Sequence, residues 1–556
     1  MLPWGLGLLY ALPVLFLVLF FLVPLAAILQ QSFAAGLGGT LATLGDGYYW
    51  RVLAFTTWQA ALSTGLTLLV ALPGAYVFAR YDFPGKSLLR ALAGMPFVLP
   101  TVVVAVAFGA LLGPRGLLAE AVAPLGWQLP RLTGGLGIVL LAHVFYNYTV
   151  VLRLVGGFWQ GLDPQLEQAA ATLGVSRWRT FWRVTLPLLW PAIAAAGLLV
   201  FIFCFTSFGV IVILGGARMA TLEVEIYRQT AQLLRLEVAA TLALIQALCT
   251  LALSLFYTRL AGRVAVPLGL LPRQATARRP QGLANWLLVL GNAGVILLLL
   301  GAPLAALVVR SVWLPGPDGP SLSLAAYTNL GQNRTGSAFF VAPSQAIFNS
   351  LRIASTTMIL ALALGVPAAY LLAATRQGQL RQRLLGLLDA LFMLPLGTSA
   401  VTLGLGYVVA LGALGLGGWR ASPWLLPLAH TLVALPFVIR VLLPALRARS
   451  PRQHEAAAVL GAGPVATWWR VELPQLAPAL TTAAVFAFTV SLGEFGASLL
   501  LARPDTPTLP VLIFRLLGQP GALSYGQALA LSVILMLVSA FSFGLLERVR
   551  PRGGEV

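Results

Sequence analysis

Two polar stretches hold most of the residues whose types and spacing could do work: Gln168-Ala-Ala-Ala-Thr-Leu-Gly174 and Glu455-Ala-Ala-Ala-Val-Leu-Gly461. They lie 287 positions apart. The same offset relates His143 to His430, Arg153 to Arg440, Pro164 to Pro451, Pro187 to Pro474, Phe208 to Phe495, Thr221 to Thr508 and Arg228 to Arg515. A gap-free register through polar, glycine and proline positions marks an internal duplication. The chemistry on offer is recognition rather than bond making. Pro164 and Pro451 suit a first helical turn, with Asp163 and Ser450 before them as N-caps. Ala169 and Ala170, like Ala456 and Ala457, give a small face that another surface can approach. Gly174 and Gly461 end the helix in the left-handed conformation. A second short helix is expected next, rich in Trp178, Phe181 and Trp182 or Trp468 and Trp469, closing at Leu186-Pro187 or Leu473-Pro474. Such a projection fits a docking device. It fits equally a pair of amphipathic helices lying on lipid with tryptophan anchors.

Other chemistry finds little support. Gly85-Lys86-Ser87 resembles the end of a phosphate-binding loop, but Arg80 stands where the leading glycine belongs and Pro84 breaks the cradle of backbone donors. No catalytic constellation or metal-ligand spacing stands out, and no cofactor is expected on this chain. Cys204 and Cys249 both fall in apolar runs and read as small buried side chains. Glu494 lies in the eleventh apolar run, opposite Ser207 in the duplicated register. An intramembrane carboxylate is a functional candidate by default. Glu494 and Ser207 are therefore candidates for a translocation path, although a structural hydrogen bond explains Glu494 more plainly. His143 and His430 read as interhelical hydrogen-bond partners, and Arg153 and Arg440 as snorkelling side chains. Glu223 and Glu225 are expected in an outer segment, touching a partner there or forming surface pairs.

Composition says what kind of scaffold carries these residues. Of 556 residues, 59% are hydrophobic and 9% charged, against roughly 25% charged in soluble proteins. Repeated apolar runs of about 20 residues mean a polytopic α-helical membrane protein. A net charge of +19 comes from arginines in short loops, which the positive-inside bias explains without nucleic acid. Twelve spans are expected, six per half. The third is placed at about Leu88 to Leu112, kinked by Pro96 and Pro100, and the ninth at about Leu385 to Leu411. The fifth is placed at about Pro191 to Leu214 and the eleventh at about Ala477 to Leu501. The halves are 1–262 and 284–556, joined by a basic linker, 263–283, with Arg263, Arg273, Arg278 and Arg279. Basic turns at Arg80, Lys86 and Arg90 and at Arg376, Arg381 and Arg383, with a tail holding Arg548, Arg550 and Arg552, place both termini in the cytoplasm. An even number of spans per half makes the copies parallel, related by a pseudo-two-fold axis along the membrane normal.

Glu455-Ala456-Ala457, Gly461 and Leu473-Pro474 in this arrangement resemble the coupling loop of the permease subunits of bacterial ABC importers. Gln168, with Glu167 one place earlier, departs from the acidic first position, while Ala169, Ala170, Gly174, Leu186 and Pro187 keep the rest. Further wording resembles the fused permease of the thiamine importer: Leu140-Leu-Ala-His-Val-Phe-Tyr-Asn147, Phe203-Cys-Phe-Thr-Ser-Phe-Gly209, Thr221-Leu-Glu-Val-Glu-Ile-Tyr227 and Ser491-Leu-Gly-Glu-Phe-Gly496. Ferric-iron importer permeases share the two-half plan, and Gly-Glu-Phe-Gly also resembles molybdate and sulfate permeases. The resemblance implies a type I importer permease fold in the bacterial inner membrane. It implies two copies of an ATPase subunit, which use ATP and Mg, and an extracytoplasmic solute-binding protein. A secondary transporter of two parallel repeats is the rival class. It would need coupling carboxylates within the spans, and the chain offers little beyond Glu494 and Asp389.

Overall fold

The computed structural model describes residues 4–114, 116–125, 135–216, 219–264, 277–316, 319–332, 341–373 and 379–549. Linker residues 265–276, with Arg273, lie outside these, as do Arg376, Arg550 and Arg552. The described chain is all-α apart from one antiparallel pair, Trp313–Gly316 with Gly319–Leu322. Among the described residues, eleven helices are long and apolar enough to cross a membrane, and a bent pair, Arg383–Gly397 with Ala400–Ala413, brings the number to twelve.

Several spans are not the straight rods their apolar runs imply. The third consists of Lys86–Gly94, a short 3-10 turn, and Thr101–Leu112. Pro100 sits at the N-cap of the last helix with φ −58 and ψ 141, so the prolines break this span rather than merely kink it. The ninth span turns by 99° between Gly397 and Ala400, where Ser399 accepts from Val401 and Thr402 N–H at 3.1 and 3.3 Å. The fifth and eleventh spans also stop short. Their helices end at Phe205 and Gly493 and resume as the short helices Gly209–Leu214 and Gly496–Leu501.

Besides Arg228–Gln232, which closes a short helix, four five-residue π turns lie within longer helices of the described residues: Val18–Leu22, Phe181–Thr185, Leu297–Gly301 and Trp468–Glu472. Each ends two residues before a proline, namely Pro24, Pro187, Pro303 and Pro474. Proline has no N–H for the carbonyl four residues back, and an i→i+5 turn widens the helix around that missing donor. The carbonyl freed by Pro24 is that of Phe20, which accepts from Tyr407 Oη at 2.8 Å.

The first helix of each half packs against the other half. Phe16, Leu17 and Phe21 share a core with Leu372, Leu403 and Leu432. In return, helix Gly282–Ile296 and its continuation lie against Gly47–Arg80 and Thr101–Leu112. Tyr148 Oη donates to Asn292 Oδ1 at 2.9 Å, and Tyr81 Oη to Asn285 Oδ1 at 2.9 Å. The chain entering the second half is clipped to the first. Arg278 N–H donates to Arg80 O and Asp82 N–H to Arg278 O, and the Arg278 guanidinium lies 5.5 Å over the Tyr81 ring.

This exchange explains a difference between the copies. Pro73-Gly-Ala-Tyr76 matches Pro367-Ala-Ala-Tyr370 except at Gly74. A methyl on Gly74 would run into Tyr148 Oη and Asn292 Oδ1. Gly74→Ala is therefore expected to lower stability by roughly 1–3 kcal/mol through overpacking, read as a lower thermal midpoint of the detergent-purified chain. A midpoint equal to that of the unchanged chain would contradict this packing.

Candidate functional site

The duplicated loops fold as two similar projections. Gln165–Thr172 and Pro451–Val459 are the short helices. Asp163 Oδ1 accepts from Gln165 N–H at 2.8 Å, as expected of a capping residue. Ser450 occupies the N-cap position without a side-chain hydrogen bond, so the second copy lacks that cap. Both helices end in a Schellman motif. Gly174 and Gly461 have φ of 75° and 78°. Val175 and Ala462 N–H donate to Ala170 and Ala457 O, and Gly174 and Gly461 N–H to Ala171 and Ala458 O.

The aromatic segment beyond each glycine is not a separate second helix. Trp178–Phe205 and Val465–Gly493 run unbroken from the loop into the membrane, and Leu186-Pro187 and Leu473-Pro474 lie within them, just past the π turns. Proline inside a helix is tolerated here because the π turn already leaves the preceding carbonyls without an i+4 donor. Loop and span are thereby parts of one continuous helix.

The tips are apolar and open. Leu173 is 82% exposed, Val459 87% and Leu460 86%. Trp178, Trp182 and Trp469 are exposed beside them. Gln168, Ala169, Glu455, Ala456 and Gly461 are also exposed, while Ala170 is half-buried and Ala457 buried.

Each projection is tied to its own half through one carboxylate, and the two ties differ. In the first half, Glu167 on the short helix accepts from Arg80 Nη2 at 3.3 Å and Thr185 Oγ1 at 3.0 Å. In the second, Glu472 at the start of the eleventh span accepts from Tyr370 Oη at 2.5 Å and is paired with Arg449. The Arg449 guanidinium lies 4.9 Å over the Tyr370 ring. Both ties join the end of the second span of the half to the start of its fifth. The repeated Pro-x-Ala-Tyr and the Glu just before Leu473-Pro474 were the signals in the sequence, but no spacing rule connects them.

Deeper in, the breaks in the fifth and eleventh spans meet. Phe208 and Phe495, equivalent residues, stack with centroids 5.7 Å apart and planes at 23°. In a two-fold arrangement a residue touches its own equivalent only on the axis. Gly209 and Gly496 allow the approach. A Cβ on Gly209 would lie 2.5 Å from Thr101 Oγ1 and 3.2 Å from Phe495 Cδ1. One on Gly496 would lie 3.2 Å from Val401 Cγ2. Ser207 and Glu494 thus flank the axis, each next to one of these rings. Ser207 hydrogen-bonds His143 Nε2 at 2.9 Å, and His143 Nδ1 bonds Ser63 at 2.8 Å. His430 bonds Ser491 and Ser498 at 2.8 and 3.0 Å. Both histidines are interhelical hydrogen-bond partners. Glu494 Oε1 accepts from Ala497 N–H at 2.8 Å, so it caps the short helix after the break rather than bonding a neighbouring helix.

Glu223 and Glu225 are not at the surface. They are 0% and 1% exposed, because the short helix Leu222–Tyr227 folds inward, its Leu222 N–H donating to Thr56 Oγ1 at 3.0 Å. Glu223 is bonded by Gln246 and, from the second half, by Ser399. Glu225 accepts from Tyr48 Oη at 3.0 Å and Gln229 Nε2 at 2.7 Å. Buried carboxyl groups need such partners. No period or motif signals them, since the expected outer position of the segment rests on the order of the spans alone.

The model of the family described as "Binding-protein-dependent transport system inner membrane component" matches residues 71–266 and 365–553. The chain is 30% identical over 545 residues to the thiamine transport system permease protein ThiP of Escherichia coli (strain K12), covering 95% of this chain and 94% of that protein. It is 31% identical to the protein of the same name from Salmonella typhimurium, with coverage of 95% and 94%. To the one from Brucella abortus (strain 2308) it is 28% identical, with coverage of 94% and 92%. Twice over, in register with its own duplication, the chain belongs to the family of inner-membrane components of binding-protein-dependent transport systems.

Proposed function

We propose that this chain is the fused permease of an ABC importer that carries thiamine across the bacterial inner membrane. The observation that carries the reading is the pair of exposed apolar loop tips, each continuous with a span that reaches the pseudo-two-fold axis. The printed names of relatives matched end to end support thiamine as the solute. Two copies of an ATPase subunit dock on the loops, and the ATP and Mg chemistry is theirs. The loop end faces the cytoplasm, as do both termini, and an extracytoplasmic binding protein delivers solute to the other end. Gln168 to Gly174 with Leu186-Pro187, and Glu455 to Gly461 with Leu473-Pro474, form the coupling elements.

The test is co-purification with an ATPase subunit, followed by uptake of radiolabelled thiamine into vesicles holding the complete transporter. Uptake should require ATP on the loop side of the membrane and binding protein on the other. Uptake driven by an ion gradient without ATP would instead establish a secondary transporter.

A further inference from the structure

The stack of Phe208 on Phe495 is the centre of a longer ladder. Tyr227 lies 5.5 Å from Phe208 at 59°, and Phe514 lies 5.3 Å from Phe495 at 65°. Tyr227 and Phe514 are themselves equivalents, 287 positions apart. Four rings in the order Tyr227, Phe208, Phe495, Phe514 therefore run across the axis as a symmetric bridge. Above the two outer rings lies a cavity of about 740 Å³, within the range of roughly 300–1,000 Å³ for small-molecule sites. Its walls include Val212 and Leu499, a second equivalent pair, together with Gln527 and Arg515. Two equivalent pairs in one wall bring the cavity to the axis, where the path between parallel halves must run, while its remaining walls come mostly from the second half. Val212 and Leu499 belong to the short helices beyond the breaks, so the cavity is at the end of the bundle away from the loops.

We infer that this cavity is the chamber that receives the solute, that the aromatic ladder is its closed floor, and that Tyr227 and Phe514 hold a flat heteroaromatic cation by their ring faces. The identity of the cation rests on the proposal of thiamine as solute. The position of the floor does not. Aromatic faces attract a cation through the ring quadrupole and stack on a flat ring. The described wall residues include no carboxylate, whereas a ferric ion calls for hard anionic oxygen ligands. Arg515, the charged residue of the wall, donates from Nη1 to Pro504 O at 3.0 Å. Below, the ladder is packed against the third span. Gly209 is already against Thr101, and Gly493 would place a Cβ 3.4 Å from Pro100. Opening must part Phe208 from Phe495.

The experiment uses the complete transporter in vesicles. Phe208→Cys with Phe495→Cys, in a background where Cys204 and Cys249 are alanine, should cross-link under mild oxidation. The yield should drop several-fold while ATP is being hydrolysed, and the cross-linked form should not transport until reduced. A yield indifferent to ATP, or transport by the cross-linked form, overturns the floor; this readout needs no particular solute. Tyr227→Leu and Phe514→Leu should each cut thiamine uptake at least fivefold with ATP hydrolysis retained, while Tyr227→Phe and Phe514→Tyr keep it near normal. Unchanged uptake in both leucine variants overturns the ring-face site. Unchanged protein that takes up no thiamine sinks the thiamine proposal, and with it the cation assigned to the rings, while the cross-link still decides the floor.

Discussion

Replacing Gly461 with proline is expected to cut ATP-driven uptake by the complete transporter at least tenfold, while the chain inserts at its usual level. Gly461 has φ 78°, and proline is held near −65°. The substitution also removes the N–H that donates to Ala458 O. The Schellman turn is lost, and with it the direction of Val459 and Leu460, the most exposed apolar pair at the loop tip. Nothing lies within 4 Å of a Cβ at this position, so the damage stays in the loop. Gly461→Ala meets only the left-handed penalty of roughly 1–2 kcal/mol and should keep most uptake. Glu455→Lys reverses an exposed charge on the same face without touching the backbone, and it should also uncouple. Retained ATPase co-purification and uptake within twofold of normal for both Gly461→Pro and Glu455→Lys would mean that the second loop transmits nothing.

Glu472→Leu is expected to cost more than Glu167→Leu, in both stability and transport. The Arg449 and Glu472 side chains are 15% and 12% exposed, and removing one partner of a buried pair costs roughly 3–5 kcal/mol. The value here should fall at the low end, because the tie sits near the loop end. Glu167 is 38% exposed against 6% for Arg80, so solvent screens that pair and its removal costs less. Thermal midpoints of the two variants, and uptake rates beside them, make the comparison. Exchanging the charges, Arg449→Glu with Glu472→Arg, should recover part of the loss. Equal effects of Glu472→Leu and Glu167→Leu would show that the two ties do not differ in strength.

Much of this was legible in the residues, for physical reasons that can be named. Register through Pro, Gly and His positions exposed the duplication, and glycine at a helix end predicted the left-handed turns at Gly174 and Gly461. Prolines 96 and 100 pointed to a distorted third span. The breaks at Phe208 and Phe495 were not legible, since Thr-Ser-Phe-Gly and Leu-Gly-Glu-Phe-Gly are apolar enough to continue a helix. What breaks them is a tertiary demand: two backbones must approach within reach of Thr101 and Val401, and glycine permits it. The inward turn of Glu223 and Glu225 was hidden for a similar reason. Their partners Tyr48, Gln246 and Ser399 are far away in sequence, and a carboxylate in an outer loop looks solvated until those partners are known. The unlike ties of Glu167 and Glu472 were missed because each replaces the other's function from a different position.

The exchanged first helices have a consequence for how the protein is made. The helix that ends at Ser32 leaves the ribosome well before the second half, but most of its groove is built from Pro343–Ala373, Ala400–Ala413 and Leu425–Arg447. During synthesis of the roughly three hundred intervening residues it must stand in lipid with no partner from the second half. Its span is the most apolar among those of the described residues, as suits a helix that waits with much of its surface in lipid and only Leu236–Val264 of its own half beside it. The corresponding helix of the second half meets a groove whose larger part, Gly47–Arg80 and Thr101–Leu112, is already made. Assembly therefore closes backwards: the second half docks as it is made, and a helix of the first half completes its packing only then.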